Sequence, residues 1–371
     1  MSRVRLIELR LVAIPLVRPF RTSMGVESDK ECVLVRVETD ESEGWGECVA
    51  GSDPGYSSEF NESAWAVLRD HLGPSLLGAG GAGAEDAERA MAWVRGHRMA
   101  KAALLMAVLD AELRADSVSL ASRLGAVRDR VECGVSIGIT DTSEQLLEQV
   151  EGYLAEGYRR VKLKIEPGLD VDRVVAVRGR WPEVALSVDA NAAYRPEDAD
   201  RLRELDRFGL LMIEQPLAHD DLYRHSLLAA KIETPICLDE SIRSAAEARA
   251  AVELGACGIV NIKQGRVGGL LEAVRTHDVC RELGVPVWCG GMLETGLGRA
   301  ANLALAALPG FTLPGDTSAS SRYFEDDLTE PFLMAPDGTM AVPRGPGLGV
   351  RPLPGRLAAC TRRIERVAKK E

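Results

Sequence analysis

The strongest constraint on the fold is a series of eight short apolar runs between residues 133 and 316. They are CGVSIG (133–138), RVKLKI (160–165), ALSVDA (185–190), LLMIEQ (210–215), PICLDE (235–240), GIVNIK (258–263), VPVWCG (285–290) and FTLPGD (311–316). Stretches with helical spacing separate them. Apolar strands that alternate with helices are typical of parallel βαβ units, and eight such units predict an α/β fold with a TIM-like (β/α)₈ barrel.

The first part of the chain is predicted to form a separate α+β domain. Three segments have the apolar pattern of strands: Val4–Val12, Cys32–Glu38 and Trp45–Val49. Residues 57–76 and 98–116 have the apolar spacing of helices. Between the first two strands, Pro15–Asp29 has no regular period and is predicted to be irregular.

These patterns divide the chain into an α+β domain of residues 1–125 and a barrel of residues 126–322. The segment PRGPGLGVRPLPG is too rich in proline and glycine to extend the barrel. Part of residues 323–371 is therefore expected to pack back on the N-terminal domain. Arg362–Glu371 is predicted to be a solvated tail or a helix.

Composition excludes several kinds of partner. Hydrophobic residues make up 46% and charged residues 27% of the 371 residues, and the net charge is −11. That charge argues against a nucleic-acid-binding surface, although a local site can still bind a small carboxylate. No apolar run approaches the roughly 20 residues of a membrane span, so no membrane contact is expected.

The N-terminus and the cysteines favour a cytoplasmic protein. Arg5, Glu8 and Arg10 interrupt the apolar N-terminal segment, which is therefore predicted to be a strand and not a signal peptide. The eight cysteines are scattered singly, with no CxxC pair. Buried, reduced thiols are expected, whereas a zinc or disulfide framework is not.

Five polar residues recur at the ends of successive apolar runs. They are Lys164, Asp189, Glu214, Asp239 and Lys263, with spacings of 25, 25, 25 and 24 residues. One spacing corresponds to one βα unit, so each residue occupies the same position on the next strand. In a barrel this position is the carboxyl-terminal mouth, where the catalytic residues of the fold lie.

The three acids among these residues predict a site for a divalent cation. Carboxylates that crowd together repel one another unless positive charge neutralises them. Oxygen ligands suit Mg²⁺, or Mn²⁺ after it, and the absence of histidine and cysteine at these positions argues against zinc. Such a cation can bind a substrate carboxylate and stabilise the enediolate that forms when the neighbouring proton is removed.

The two lysines are predicted to be the acid and base of that reaction. Lys164 ends the second strand and Lys263 ends the sixth, and strands four apart in a ring of eight are opposed. A lysine acts as a base when its pKa is lowered toward neutrality. Lys162, on the same strand face as Lys164, is expected to support it by adding positive potential.

The motifs at these positions resemble the enolase superfamily, in its muconate-lactonizing-enzyme-like subgroup. They are KLK (162–164), DAN (189–191), EQP (214–216), DE (239–240), NIKQGRVGG (261–269) and CGGMLETGLG (289–298). The resemblance covers nearly the whole chain, including an N-terminal capping domain. It implies three Mg²⁺ ligands, Asp189, Glu214 and Asp239. It also implies that Lys164 and Lys263 act on opposite faces of the substrate, and that Asn191 and Glu240 orient the ligands.

The same resemblance implies where the substrate binds. Pro15–Asp29 is similar to the mobile capping loop of the family, which would supply Phe20, Ser23 or Met24 as specificity contacts. Ser136, Gly291 and Met292 are expected to line a small, partly apolar pocket. Enzymes of this type of barrel often associate, so a homo-oligomer is expected.

Within the subgroup, the chain most resembles the o-succinylbenzoate synthases and N-acylamino acid racemases. The run FTLPGD lacks the Asp-x-Asp motif of dipeptide epimerases, and no histidine–aspartate dyad replaces Lys263. Dehydration to o-succinylbenzoate and racemisation of N-acylamino acids both fit. Arg266 is interpreted either as a residue that tunes Lys263 or as part of a surface salt bridge.

Several alternatives stay open at this point. A muconate cycloisomerase or a dipeptide epimerase would use the same site. A non-catalytic scaffold on a barrel is a different class, because fold alone does not determine function. An aldolase or a sugar-acid dehydratase would need further acid groups, and His219 and His225 are interpreted as surface residues.

Overall fold

Strands from both ends of the chain form one antiparallel sheet in the computed structural model, which describes residues 3–81 and 83–368. Three strands pair in chain order: β1 (Val4–Thr22), β2 (Gly25–Thr39) and β3 (Glu43–Cys48). Ile7 and Leu9 of β1 are fully buried, as the two-residue period of a half-buried strand requires.

The prediction of an irregular segment at Pro15–Asp29 is wrong. β1 and β2 continue through it as a long hairpin, in which only Ser23 and Met24 lie between the strands. The register shifts between Pro15 and Phe20, which marks an irregularity in the pairing. That shift breaks the two-residue period, so the apolar pattern of a strand is not visible in the sequence.

The helices of the N-terminal part pack on this sheet. They are α1 (Asn61–Val67), α2 (Gly73–Gly78), α3 (Ala84–Met91), α4 (Arg98–Ala115) and α5 (Leu120–Leu124), with a π-helical turn at Leu68–Leu72 between the first two. α4 lies directly against β3, because Gly46 has no side chain at the contact. A Cβ atom at Gly46 would lie 2.0 Å from the carbonyl oxygen of Ala103.

Seven parallel strands form the curled sheet of the barrel, in chain order. After a short β4 (Arg130–Glu132), they are β5 (Gly134–Ile137), β6 (Arg160–Lys164), β7 (Ala185–Asp189), β8 (Ile213–Glu214), β9 (Ile236–Leu238), β10 (Ile259–Ile262) and β11 (Val287–Cys289). Side chains on both faces of these strands are largely buried. This double burial explains why the strands have continuous apolar runs and no alternation.

The eighth apolar run does not form a regular strand. Within residues 311–316, single parallel bridges join Phe311 to Val287 on one side and Gly315 to Cys133 on the other. Pro314 has no backbone N–H, so the run cannot complete a regular hydrogen-bond ladder. The bridges nevertheless reach both edges of the seven-stranded sheet, and the ring closes as a modified barrel.

The remaining helices follow the barrel strands, except for the last, which lies near the C-terminal end of the chain. They are α6 (Ser143–Ala155), α7 (Val171–Arg180), α8 (Ala199–Arg203), α9 (Leu222–Ala229), α10 (Ala245–Glu253), α11 (Gln264–Val267), α12 (Leu270–Glu282), α13 (Gly296–Ala306) and α14 (Pro354–Cys360). Short 3₁₀ turns lie at Pro196–Asp198, Glu204–Phe208 and Ser320–Arg322. Side-chain oxygens of Thr142 and Ser244 accept hydrogen bonds from the first turns of α6 and α10, which sets where these helices begin. Among the described residues, no helix has both the length and the apolar character of a membrane crossing.

The C-terminal end of the chain returns to the first sheet. β12 (Thr339–Ala341) pairs with β4, and β13 (Thr361–Arg366) pairs with β1. A solvated tail or helix was predicted over Arg362–Glu371, but residues 362–366 belong to a strand instead. The sequence TRRIER alternates half-buried and exposed residues, which is the pattern of an edge strand. Residues 369–371 lie outside the described residues.

Gly46→Ala tests the close contact between β3 and α4. The added Cβ meets backbone atoms that cannot rotate away, so we expect a loss of about 1–3 kcal/mol in the free energy of unfolding. Gly152→Ala is the matched control, because a Cβ at Gly152 of α6 meets nothing within 4 Å. Alanine in that helix should stabilise by roughly 0.5–1 kcal/mol. Urea denaturation of both variants measures the difference, and equal effects would contradict the packing.

Candidate active site

Five polar residues lie at the carboxyl ends of neighbouring barrel strands. Lys164, Asp189 and Glu214 end β6, β7 and β8 and are paired in register. Asp239 directly follows β9, and Lys263 directly follows β10. β6 and β10 are four places apart in the strand order, so the three acids lie on the arc between the two lysines.

The acids of this arc are withdrawn from solvent and are held by amines. Asp189, Glu214 and Asp239 are at most 1% exposed. Lys164 Nζ lies 2.6 Å from Asp189 Oδ2, and Lys263 Nζ lies 2.7 Å from Asp239 Oδ2. A buried carboxylate needs such partners, because it has lost its hydration. Each lysine at the two ends of the arc is therefore coupled to an acid.

Lys162 lies among acids from three parts of the ring. Its Nζ is 2.7 Å from Glu214 Oε2, 3.2 Å from Asp189 Oδ2 and 2.8 Å from Asp316 Oδ2. Burial lowers the pKa of Lys162, but the charges of these acids outweigh burial and raise the pKa well above its usual value. Lys162 therefore stays cationic and ties the acids together.

Glu214 in the arc and Glu240 beside it hold their protons more tightly than ordinary carboxylic acids. Burial raises the pKa of Glu214 to about 8, and the charge of Asp189 adds to this effect. Burial raises the pKa of Glu240 to about 7, and the charge of Asp239 adds to it. Further positive charge in the arc would therefore be favourable.

The acids fit a divalent cation by the type and charge of their donors. Asp189, Glu214 and Asp239 offer carboxylate oxygens, which suit Mg²⁺ or Mn²⁺. Within residues 3–81 and 83–368, no group of three His, Cys, Asp or Glu side chains is close enough together to hold a metal ion in this arrangement. The lysine amines hold the acids instead. Glu240 Oε2 is buried without a hydrogen-bond partner, which leaves an unmet acceptor beside the arc.

Asn191 connects Lys164, at one end of the arc, to Glu240. Its Oδ1 accepts a hydrogen bond of 2.5 Å from Lys164 Nζ, and its Nδ2 donates one of 2.9 Å to Glu240 Oε1. Asn191 has a φ of +43°, and Gln215, which follows Glu214, has a φ of +37°. Non-glycine residues in this region carry strain that clusters at functional sites. The strained backbone after β7 and β8 thus supports a functional interpretation of this end of the barrel.

Arg266 belongs to the site and not to the surface. It is 4% exposed, its side chain pairs with the Asp239 carboxylate, and it donates a hydrogen bond of 2.7 Å to the carbonyl of Ile242. The surface salt bridge considered for it is therefore wrong. Asp239 thus has two cationic partners, Arg266 and Lys263, which together outweigh burial and lower its pKa.

Two residues of the site were not predicted from the sequence. The hydroxyl of Tyr56 lies 3.3 Å from Lys263 Nζ and 3.4 Å from Asp239 Oδ1. Tyr56 is in an irregular loop, so no pattern marks it. Asp316 lies 2.6 Å from the Arg160 guanidinium and 2.8 Å from Lys162. Asp316 ends the eighth apolar run, and this position is the sequence signal that could have identified it as a site residue.

One cavity contains most of the predicted substrate contacts. Lys164 and Lys263 line it together with Phe20, Met24, Ser136, Gly291 and Met292. Ser23 is not among its lining residues, and its hydroxyl donates instead to the carbonyl of Ala190 at 3.3 Å. The turn of the β1–β2 hairpin thereby contacts the chain just after Asp189.

The two histidines interpreted as surface residues differ. His219 is exposed. His225 is fully buried, which contradicts the interpretation, and its Nε2 accepts a hydrogen bond of 3.2 Å from the N–H of Leu217. Burial lowers the pKa of His225. Neither histidine lines the cavity that contains the lysines.

Asp316→Asn tests the buried ion pairs of Asp316 with Arg160 and Lys162. The substitution leaves Arg160 and Lys162 with less compensation, and breaking a buried pair costs roughly 3–5 kcal/mol. Asp200→Asn is the control, because the Asp200–Arg203 pair is 90% and 60% exposed and should contribute little. Thermal and urea denaturation measure both variants. A similar, small effect for the two would show that Asp316 does not compensate the buried cations.

Two family descriptions match the chain. Residues 6–125 match the N-terminal domain described as mandelate racemase / muconate lactonizing enzyme. Residues 145–355 match the description "Enolase C-terminal domain-like". Together they cover most of β1–β3, the barrel strands β6–β11 and the arc of acids.

Named relatives share most of their length with this chain. An N-succinylamino acid racemase of Amycolatopsis is 60% identical over 356 residues, which cover 96% of each chain. An o-succinylbenzoate synthase of Geobacillus stearothermophilus is 51% identical and covers 92% of this chain and 91% of its own. A solved structure from Listeria innocua, described as a member of the enolase superfamily, is 38% identical, covers 100% of both chains and has a TM-score of 0.95.

Proposed function

Because this chain belongs to the mandelate racemase / muconate lactonizing enzyme family of the enolase superfamily, we propose that it removes the proton beside a substrate carboxylate. The observation that carries the proposal is the arc of three buried acids with a lysine at each end. An enediolate forms in such a reaction, and its extra negative charge needs positive charge close by. The arc and its cations supply a preorganised environment for it.

A divalent cation, Mg²⁺ or Mn²⁺, is part of the proposal. Asp189, Glu214 and Asp239 would hold it, and Asn191 and Glu240 would orient them. When bound, the cation supplies positive charge at the substrate carboxylate, which makes the adjacent proton more acidic.

The two lysines have the roles of base and acid. To remove a proton, a lysine must be neutral, and to return one, it must be protonated. Burial lowers the pKa of Lys263, but the charge of Asp239 outweighs burial and raises it. Lys263 is thus held in the protonated form by Asp239, which suits an acid or an electrostatic partner.

Two reactions of the same site are proposed, racemisation of N-acylamino acids and dehydration to o-succinylbenzoate. In racemisation, one lysine removes the α-proton and the other returns a proton to the opposite face. In dehydration, Lys164 removes the proton and then protonates the departing hydroxyl group, while Lys263 stays cationic and stabilises the enediolate. The names of the relatives from Amycolatopsis and Geobacillus support these two reactions.

A muconate cycloisomerase or a dipeptide epimerase is the alternative within the family. A dipeptide substrate brings an ammonium group, which requires a carboxylate that is free to pair with it. Asp316, the acid at the end of the eighth run, is already paired with Lys162 and Arg160. This pairing favours N-acylated substrates, which lack that ammonium group, over dipeptides.

Lys263→Ala tests the two-base arrangement. Loss of one catalytic lysine should reduce racemisation of N-succinylmethionine by roughly 100- to 10,000-fold. Lys164 can still remove the proton of one enantiomer, so in D₂O that enantiomer alone should exchange its α-hydrogen without inversion. Polarimetry follows racemisation, and NMR follows exchange.

The control for this experiment is Lys231→Ala, at an exposed position of the barrel. It should racemise N-succinylmethionine at the wild-type rate. If Lys263→Ala also racemised the substrate at that rate, or exchanged both enantiomers equally, the opposed roles of the two lysines would be wrong.

Glu214→Gln tests the metal site. Removing one charged ligand should weaken Mg²⁺ binding by more than the roughly 10- to 100-fold that loss of an outer partner costs. Isothermal calorimetry with Mg²⁺ on chelator-treated protein measures this. Glu253→Gln, at a glutamate whose side chain is 59% exposed, should bind as the wild type does. Undetectable Mg²⁺ binding by the wild-type protein would overturn the proposed cofactor.

A further inference from the structure

Lys30 brings a buried ammonium group from the first sheet into the active-site cavity. It lies on β2, is 3% exposed, and lines the cavity that Lys164 and Lys263 also line. Its Nζ donates a hydrogen bond of 2.8 Å to the carbonyl oxygen of Met292. An ammonium group has three donors, so this bond leaves two of them available.

Lys30 also has no direct counter-ion. Among the described residues, Lys30 forms no ion pair with a carboxylate. The other three lysines of the cavity, Lys162, Lys164 and Lys263, each form at least one. A buried charge without a partner is costly, and natural proteins seldom retain one without a use. The burial of Lys30 therefore points to a partner that arrives from outside the chain.

The nearby acids are engaged elsewhere. Glu47 accepts hydrogen bonds from the backbone of Thr295 at 3.1 Å and of Gly298 at 3.0 Å, at the start of α13. Glu294 accepts one from the N–H of Met292 at 2.8 Å. Glu27 and Asp53 line the cavity but are exposed, so water screens their charges. Burial lowers the pKa of Lys30, but charges at a distance, those of Glu47, Glu27 and Glu294 among them, outweigh burial and raise it, so Lys30 stays cationic. Among the described residues, no carboxylate accepts a hydrogen bond from its two remaining donors.

Met292 contacts both Lys30 and Lys263. Its sulfur is 3.6 Å from Lys263 Nζ, and its carbonyl oxygen is 2.8 Å from Lys30 Nζ. The two ammonium groups are therefore separated by a single residue. All three lysines line one cavity, so a substrate whose reacting carbon lies between Lys164 and Lys263 can extend past Met292 toward Lys30.

We propose that Lys30 binds a second carboxylate at the far end of the acyl arm of the substrate. The pocket would then select dicarboxylates, such as N-succinylamino acids, over N-acyl compounds whose arm ends in a neutral group. This inference rests on the proposed function, because it takes the first carboxylate and the reacting carbon to lie at the arc. It adds the residue that recognises the other end.

The test compares N-succinylmethionine with the amide in which its terminal carboxylate is –CONH₂. The two compounds have nearly the same shape and differ in charge at the arm. The wild-type protein should prefer the acid, and Lys30→Met should reduce the ratio of the two kcat/KM values by roughly 10- to 100-fold, since a hydrogen bond to a charged group is lost. Lys30→Arg keeps the charge and should keep the preference.

Lys101→Met is the matched control. Lys101 also donates to a backbone carbonyl, that of Val94, and has no ion pair among the described residues, but it does not line the cavity. Its substitution should leave the ratio unchanged. Lys30→Met also removes positive charge near the buried Glu47 carboxylate, so the ratio of the two kcat/KM values decides and not the Tm. A purely structural role for Lys30 would lower the Tm and leave the ratio intact.

Calorimetric binding of both compounds separates this inference from the proposed reaction. If the wild type binds the acid more tightly than the amide and Lys30→Met binds them equally, the assignment of Lys30 holds, even if neither compound is turned over. Failure of turnover alone would overturn the proposed reaction. If the wild type turns over both compounds, and Lys30→Met has the same ratio as the wild type, the assignment of Lys30 is wrong.

Discussion

The compensation of buried negative charge at the mouth of the barrel is the interaction on which the rest of the structure depends. Asp189, Glu214 and Asp239 have lost their hydration. The lysine amines and the Arg266 guanidinium beside them offset that cost. The parallel register of β6, β7 and β8 brings these groups to one level. A shift of one residue would turn every side chain to the other face and leave the charges unpaired.

Both sheets contribute residues to the site. The barrel holds the acids and both end lysines on rigid strand ends, where small displacements would be costly to catalysis. The antiparallel sheet brings Phe20 and Lys30 into the same cavity from outside the ring. The barrel also contributes Ser136 and Met292, so residues of both the barrel and the hairpin line the cavity.

The parts that could be predicted are those with a local, repeated signal. The apolar runs predict seven of the strands, and the polar residues at their ends predict the arc. The hairpin was missed, because its register shift between Pro15 and Phe20 removes the period. A regular eighth strand was predicted from an apolar run, but the structure has only single bridges there. Pro314 lacks the N–H that a continuous hydrogen-bond ladder needs. Tyr56 was missed, since it approaches Lys263 from a loop without any pattern.

By itself, the sequence determined the barrel, the strand on which each acid or lysine lies, and the type of cation that the acids suit. These follow from apolar periodicity and spacing, which act within single βα units. Only the tertiary structure decided which charges touch: that Lys162 holds three acids, that Asp316 is already paired, and that Lys30 is buried without a counter-ion. Such contacts join residues far apart in the chain, and a charge's partner depends on distances that no local pattern encodes.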